Sequence, residues 1–399
     1  MKFTFGLLAI SLLACCGSPR NAQEKKTVIA YIDNPSGGAA SLPHLILGGD
    51  NLLYFSWLEQ FGDSVSLRYS RYEKEWSEVE EIASGVHWFV NWADYPMISS
   101  SSNGGLLAHF LKKSNEGTYS YDVNLKTKSN GEWSSPFLLH TDSTPTEHGF
   151  VTMLPLSDST FQVAWLDGRN TGGNNHSHGG AMTLRTAVVK TDGTLTEEKE
   201  LDSKTCDCCQ TGGAMTSQGP VFVYRDRSEL EIRDISIVRK EAGRWTEPTT
   251  VAQDNWNIAG CPVNGPRIDA INNTLSVAWF TGAKDQPQVK LAFSTDGGRH
   301  FQDPIIIDNN TPLGRVDVVM LDEQSAMISW LGKQMDKSVI KAKKVYITGI
   351  SEPSLTIAET SDSRGSGFPQ MEKYKDSLFF AWTVVQDSTT LIKMAKIDF

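Results

Sequence analysis

Leu275-Ser276-Val277-Ala278-Trp279 is a short apolar, β-branched run that ends on an aromatic residue before the chain turns polar. Runs of the same kind end on Trp57, Phe110, Trp165, Tyr224, Trp279, Trp330 and Trp382, so successive aromatic ends lie 53, 55, 59, 55, 51 and 52 positions apart. A repeat of this period carries one multi-stranded unit, which predicts an all-β fold built as a single β-propeller. Ahead of each aromatic stands another short run, such as Pro43-His44-Leu45, Pro266-Arg267-Ile268 or Pro369-Gln370-Met371, expected to be the innermost strand. After the aromatic come an alternating strand, such as 289–293, and an outer one announced by aromatic-x-x-Pro, as at Trp245 with Pro248 and Phe301 with Pro304. Counting gives seven units. The last, 367–399, has only three strands, and 27–32 is expected to supply the fourth, which closes the ring and removes an open sheet edge. Seven blades follow, with six as the alternative if one unit is degenerate.

Lys2 is followed by an apolar stretch, 3–14, too short for a permanent bilayer span, which reads as a signal peptide. It runs into Leu12-Leu13-Ala14-Cys15-Cys16-Gly17, which resembles a bacterial lipobox. Cys15 is the expected lipidation site, with Cys16 as the alternative. The division that follows is 1–15 signal peptide, 16–26 polar tether and 27–399 propeller. The expected location is the bacterial cell envelope, lipid-anchored in the periplasm or at the outer membrane. A net charge of -10 argues against a nucleic-acid partner, because phosphate binding needs clustered Lys and Arg. The chain reads as a monomer that meets the membrane only through its lipid.

In the fifth unit, Ser294-Thr295-Asp296-Gly297-Gly298-Arg299-His300-Phe301 matches the Asp-box, Ser-x-Asp-x-Gly-x-x-aromatic, of BNR-repeat proteins. Asn130-Gly131-Glu132-Trp133 looks like a worn copy. The wider chain resembles a group of secreted sialidase-like proteins with a Cys-Asp-Cys-Cys motif. The resemblance rests on Asn91-Trp92-Ala93-Asp94, Glu147-His148-Gly149-Phe150, Asp167-Gly168-Arg169, Cys206-Asp207-Cys208-Cys209-Gln210-Thr211, Tyr224-Arg225-Asp226-Arg227-Ser228 and Gly260-Cys261-Pro262-Val263-Asn264-Gly265-Pro266. It implies a sialidase-like site, in which arginines grip a carboxylate, a glutamate activates a tyrosine nucleophile and an aspartate serves as acid and base. By that analogy Asp94, Glu147 and Asp226 are the acid/base candidates and Tyr224 the nucleophile. True sialidases have six blades and an Arg-Ile-Pro motif near the N-terminus; here the corresponding opening, 36–43, carries no charge.

Loops entering each innermost strand and loops leaving each second strand emerge on one face of a propeller, around its axis, where function collects. The unusual residues fall in those two loop classes. Arg169, Arg225, Arg227, Arg315 and Arg364, with His148 and Asn264, are candidates for binding a small anionic ligand or glycan. The rival reading is that Arg225, Asp226, Arg227, Glu231, Arg233 and Asp234 pair with one another, as alternating signs at close spacing favour. Cys206, Cys208, Cys209 and Cys261 enter neighbouring units. The expected outcome is a disulfide between Cys261 and one of the other three, with no cofactor. The alternative is copper or zinc held by these cysteines with His176 and His178, in a metal-handling or redox protein. A non-catalytic scaffold that binds a protein partner is a third reading.

Overall fold

The structure, a computed structural model, describes Met1 and residues 28–172, 180–387 and 389–399. Its strands form seven antiparallel sheets set as the blades of one β-propeller, so the all-β, seven-bladed expectation holds. The sheets of blades 1 to 6 run in chain order from the axis outward. The innermost strands of blades 1 to 7 are Ala40–Leu47, Ile98–Ser100, His148–Ser157, Gly212–Thr216, Arg267–Ile271, Pro312–Asp322 and Gln370–Tyr374. Blade 7 is completed by Ile29–Ile32, which pairs antiparallel with Thr389–Asp398 in the register Ile29 to Ile397 and Ile32 to Met394.

The core lies between neighbouring sheets because each strand turns alternate side chains to the blade on either side. Val221 and Val223 of blade 4, for example, pack with Leu275, Val277 and Trp279 of blade 5. The seven aromatic ends read from the sequence are all buried. Several carry a polar indole edge that needs an acceptor, and a carboxylate supplies it: Trp165 donates to Asp167 at 2.8 Å, Trp279 to Asp254 at 2.7 Å and Trp330 to Asp308 at 2.7 Å.

An innermost strand has no strand beside it on the axial side, so its amides need other acceptors. Aspartates of one blade reach across to the next. Asp94 accepts from the Phe150 amide at 2.8 Å, Asp269 from Met320 at 2.6 Å and Asp317 from Met371 at 2.8 Å. These straps surround an axial cavity of about 340 Å³, lined by all seven innermost strands and by His44, Arg267, Asp269, Asp317 and Glu372.

The Asp-box folds as a turn between the third and fourth strands of blade 5. Ser294 Oγ accepts from the Gly298 amide at 3.0 Å, and Asp296 Oδ1 accepts from the Arg299 and His300 amides at 3.0 Å. Gly297 and Gly298 hold φ of 75° and 84°, a left-handed conformation suited to glycine. Phe301 packs on the core beneath. The box is structural and carries no reacting group.

Candidate functional site

Three side-chain clusters meet on the face where the blade-entering loops converge. The first is built on Asp94, Tyr121 and Glu147. Asn91 Oδ1 accepts from the Ala93 amide at 2.8 Å and turns the chain so that Asp94 points inward. The Tyr121 hydroxyl lies 2.8 Å from both Asp94 Oδ2 and Glu147 Oε1. The two carboxyl oxygens are therefore no farther apart than twice that length. Burial pushes Glu147 up to about 8, against the Tyr121 hydrogen bond and with help from the charge of Asp94. Burial likewise pushes Asp94 up to about 7, opposed by the Phe150 amide and Tyr121. Gly149 makes this packing achievable, since a Cβ there would fall 1.9 Å from Asp94 Oδ2.

The second cluster sits behind the first. Tyr121 and Glu147 face each other across an isolated parallel bridge, and their successors Asp122 and His148 point to the other side of the same backbone. There His148 stacks on His140, ring centroids 3.6 Å apart and planes 5° from parallel. Asp142 joins the two rings, 2.8 Å from His140 Nδ1 and 3.2 Å from His148 Nε2. Their other nitrogens face Asp122 at 3.6 and 3.9 Å, beyond hydrogen-bonding geometry. Parallel rings send their lone pairs side by side rather than to one point, and the pair packs face to face with Asp142 bonded to both rings. Arg169 closes this cluster with a two-pronged hydrogen bond to Asp167, 2.7 Å on each arm.

The third cluster is the cysteines. Cys206 Sγ lies 3.5 Å from Cys209 Sγ and 4.0 Å from Cys208 Sγ, and Cys261, on the loop entering blade 5, neighbours Cys208 outside this group of three. That loop is drawn in by Gly265, whose Cβ position lies 2.1 Å from the Gln210 carbonyl oxygen, so only glycine lets the backbones approach this closely. All four cysteines are free thiols, and the expected disulfide to Cys261 is absent from the structure. Hydrogen bonds from Cys208 and Cys209, helped by the Arg233 and Arg225 charges, hold the Cys206 thiol well below its ordinary range despite burial.

Most of the predicted arginines are already committed inside the protein. Arg225 is buried and donates to the carbonyls of Arg233, Asn264 and Phe280. Arg227 is paired with Glu231 and Asp207, and Arg315 donates to Ser366 and to the carbonyls of Asp362, Ser363 and Gly367. Asn264 is structural as well, its side-chain oxygen accepting from the Arg315 amide at 2.7 Å. Only Arg364, of the five, is exposed. The expected open ring of guanidiniums is thus replaced by a network that ties loops together.

The four catalytic candidates divide. Asp94 and Glu147 come together, whereas Tyr224 is buried against Asp202 and Asp226 hydrogen-bonds Ser236 at 2.9 Å within blade 4. The tyrosine between the carboxyls is Tyr121, which the sequence reading missed. It opens the alternating strand Tyr121–Ser129, whose first, third and fifth residues are all buried, and so reads as one more core aromatic. His140 and Asp142 were missed for want of any motif. His176 and His178, and Cys15 and Cys16, lie outside the described residues.

Fold and site together define a sialidase-like β-propeller with a buried acid pair and a thiol cluster on one face. No protein-family model matches the sequence, and no curated protein matches it. Among solved structures, the chain is similar to a protein of unknown function from Dyadobacter fermentans (12% identity, 77% of this chain and 94% of that one, TM-score 0.50). It is similar also to the endosialidase of phage phi92 (10% identity, 94% and 69%, TM-score 0.50) and to the polysaccharide lyase Uly1 (10% identity, 91% and 90%, TM-score 0.50). At these identities the likeness establishes the fold.

Proposed function

We propose that the protein is a glycan-active propeller of the bacterial cell envelope, lipid-anchored through Cys15 or Cys16, that works on carbohydrate with Asp94, Tyr121 and Glu147. The observation that carries this reading is the Tyr121 hydroxyl, 2.8 Å from a carboxyl oxygen on each side. One hydroxyl has one proton to give, so two such contacts require a proton on one carboxyl. Glu147, with its pKa pushed up to about 8, keeps that proton at neutral pH. It is the member nearest the surface, at 8% exposure against 0% for Tyr121. Glu147 then serves as general acid: its proton goes to the glycosidic oxygen, the Glu147 carboxylate left behind accepts from the Tyr121 hydroxyl, and water returns the proton afterwards. That two neighbours in fold are an endosialidase and a polysaccharide lyase supports a carbohydrate substrate by analogy. Four of the five predicted arginines are engaged internally, which leaves Arg364 alone among them exposed to an anionic sugar.

A glycan array with sialylated, sulfated, uronic and neutral arms, followed by product analysis on bound glycans, tests the reading. Turnover should fall as pH rises through about 8, because the raised pKa of Glu147 keeps its acid form below that value and loses it above. Glu147→Gln should retain binding and lower turnover by about 10²–10⁴-fold, the share of general acid catalysis. Full turnover by Glu147→Gln, or an array with no bound glycan on any arm, would sink the proposal.

A further inference from the structure

The geometry points to a metal site: we propose that Cys206, Cys208 and Cys209, with Cys261 at the rim, hold one thiophilic closed-shell ion, copper(I) or zinc(II). The proposal stands apart from the glycan reading and uses none of its residues.

Distance is the first argument. A disulfide needs sulfurs about 2.05 Å apart. Two sulfurs bound at about 2.3 Å to one ion are instead separated by about 3.8 Å in tetrahedral and about 4.0 Å in trigonal geometry. The 3.5 and 4.0 Å separations around Cys206 fall close to those values and far from a covalent bond. The three sulfurs also lie within 4.8 Å of one another, so a single point can serve them all.

Local backbone is the second. The turn Cys206-Asp207-Cys208-Cys209 sends Asp207 away, to Arg227 at 3.3 Å, and returns three sulfurs to one side. The loop that carries Cys261 is fixed against this turn by the Gly265 close approach and by Arg225, which donates to the Asn264 carbonyl at 2.8 Å. Sulfurs gathered by a braced frame, rather than on loose loops, form a preorganised donor set.

Surroundings are the third. Buried Arg233 donates from Nη1 to Cys206 Sγ at 3.1 Å while its Nη2 is held by Glu231 at 2.8 Å. A cation fixed in this way offsets part of the negative charge that three or four thiolates around one ion create, and it orients the ligand sulfur from outside. Cys206 and Cys209 are shielded from water, Cys208 is half-buried and Cys261 is exposed. An ion can therefore arrive at Cys261 and Cys208 and be retained by the inner pair. A sulfur-only donor set selects copper(I) or zinc over hard cations. Three thiolates suit copper(I), and addition of Cys261 suits zinc.

The test uses the full-length chain purified without oxygen or chelator. Its metal content is measured by mass spectrometry, and it is titrated with zinc(II) and copper(I) against competing chelators. One ion per chain is expected, with Cys206 and Cys209 protected from alkylation until that ion is withdrawn. Arg233→Met should weaken binding about 10–100-fold, the range for an outer partner. Cys261→Ser changes an exposed residue, so it reports on the site even where Cys206→Ser disturbs folding. Loss of zinc affinity with copper(I) retained identifies a three-sulfur copper site, and loss of both identifies a four-sulfur site. Unreduced peptides that join Cys261 to another cysteine would overturn the proposal, as would alkylation rates identical with and without added metal.

Discussion

Gly149 shows how a single missing side chain can decide a site. Its Cα faces Asp94 Oδ2, and a methyl group there would stand 1.9 Å from that oxygen. Gly149→Ala must displace Asp94 from both Tyr121 and the Phe150 amide, and overpacking of this kind costs about 1–3 kcal/mol. The midpoint of urea unfolding should fall accordingly and glycan turnover should be lost. Gly38→Ala is the control, since nothing lies within 4 Å of its added Cβ. Equal midpoints for the two variants would show that the Asp94 carboxyl moves without penalty. At this scale the sequence is only half legible. Asp94 and Glu147 stood out because charged residues in loops are conspicuous, but Tyr224 was preferred to Tyr121. Both end or begin buried strands, and only the tertiary placement of Asp94 and Glu147 shows which hydroxyl they share.

The strand Ile29–Ile32 is the element on which closure of the ring depends. It buries one face of Ile29 and Ile32 on blade 7 and covers the outer edge of Thr389–Asp398. Deletion of 28–33 removes that partial burial, worth for each isoleucine about half of the 1.5–3 kcal/mol of a fully buried large aliphatic side chain. The melting temperature should then drop by roughly 2–6 °C. The bared edge should also promote association, which light scattering would register. An unchanged melting curve would mean that the ring closes without this strand. Elements were the most legible level, because the seven buried aromatics impose a period that no single substitution can hide. The turn Cys206-Asp207-Cys208-Cys209 was legible as a neighbour of the Cys261 loop, but the distances between its sulfurs were not: sequence spacing says which loops are neighbours, whereas the separation of two sulfurs depends on packing at Gly265 and Arg233.

For the whole molecule, ring order follows from the repeat count, while the commitment of its arginines does not. Arg225 ends the second strand of blade 4 and Arg315 lies near the start of the innermost strand of blade 6, and each finds backbone carbonyls of a neighbouring blade within reach. Partners 39 and 52 positions away in the chain decide that outcome. The anchor is tested at this scale. Replacement of Cys15 and Cys16 together by Ser should abolish incorporation of a labelled fatty acid and release the chain from the membrane fraction, whereas retained label would remove the lipid from the proposal. The pairing of Ile29–Ile32 with Thr389–Asp398 also fixes a direction. The innermost strands run away from the face that carries the acid pair and the thiols, so the third strand of each blade does the same and the outermost one runs back toward it. Ile29 therefore lies at the far rim and Ile32 near the site. If the amino end carries the proposed lipid, the attachment leaves from the rim opposite the acid pair and the thiols, so the membrane does not screen them from soluble or surface-borne polymers.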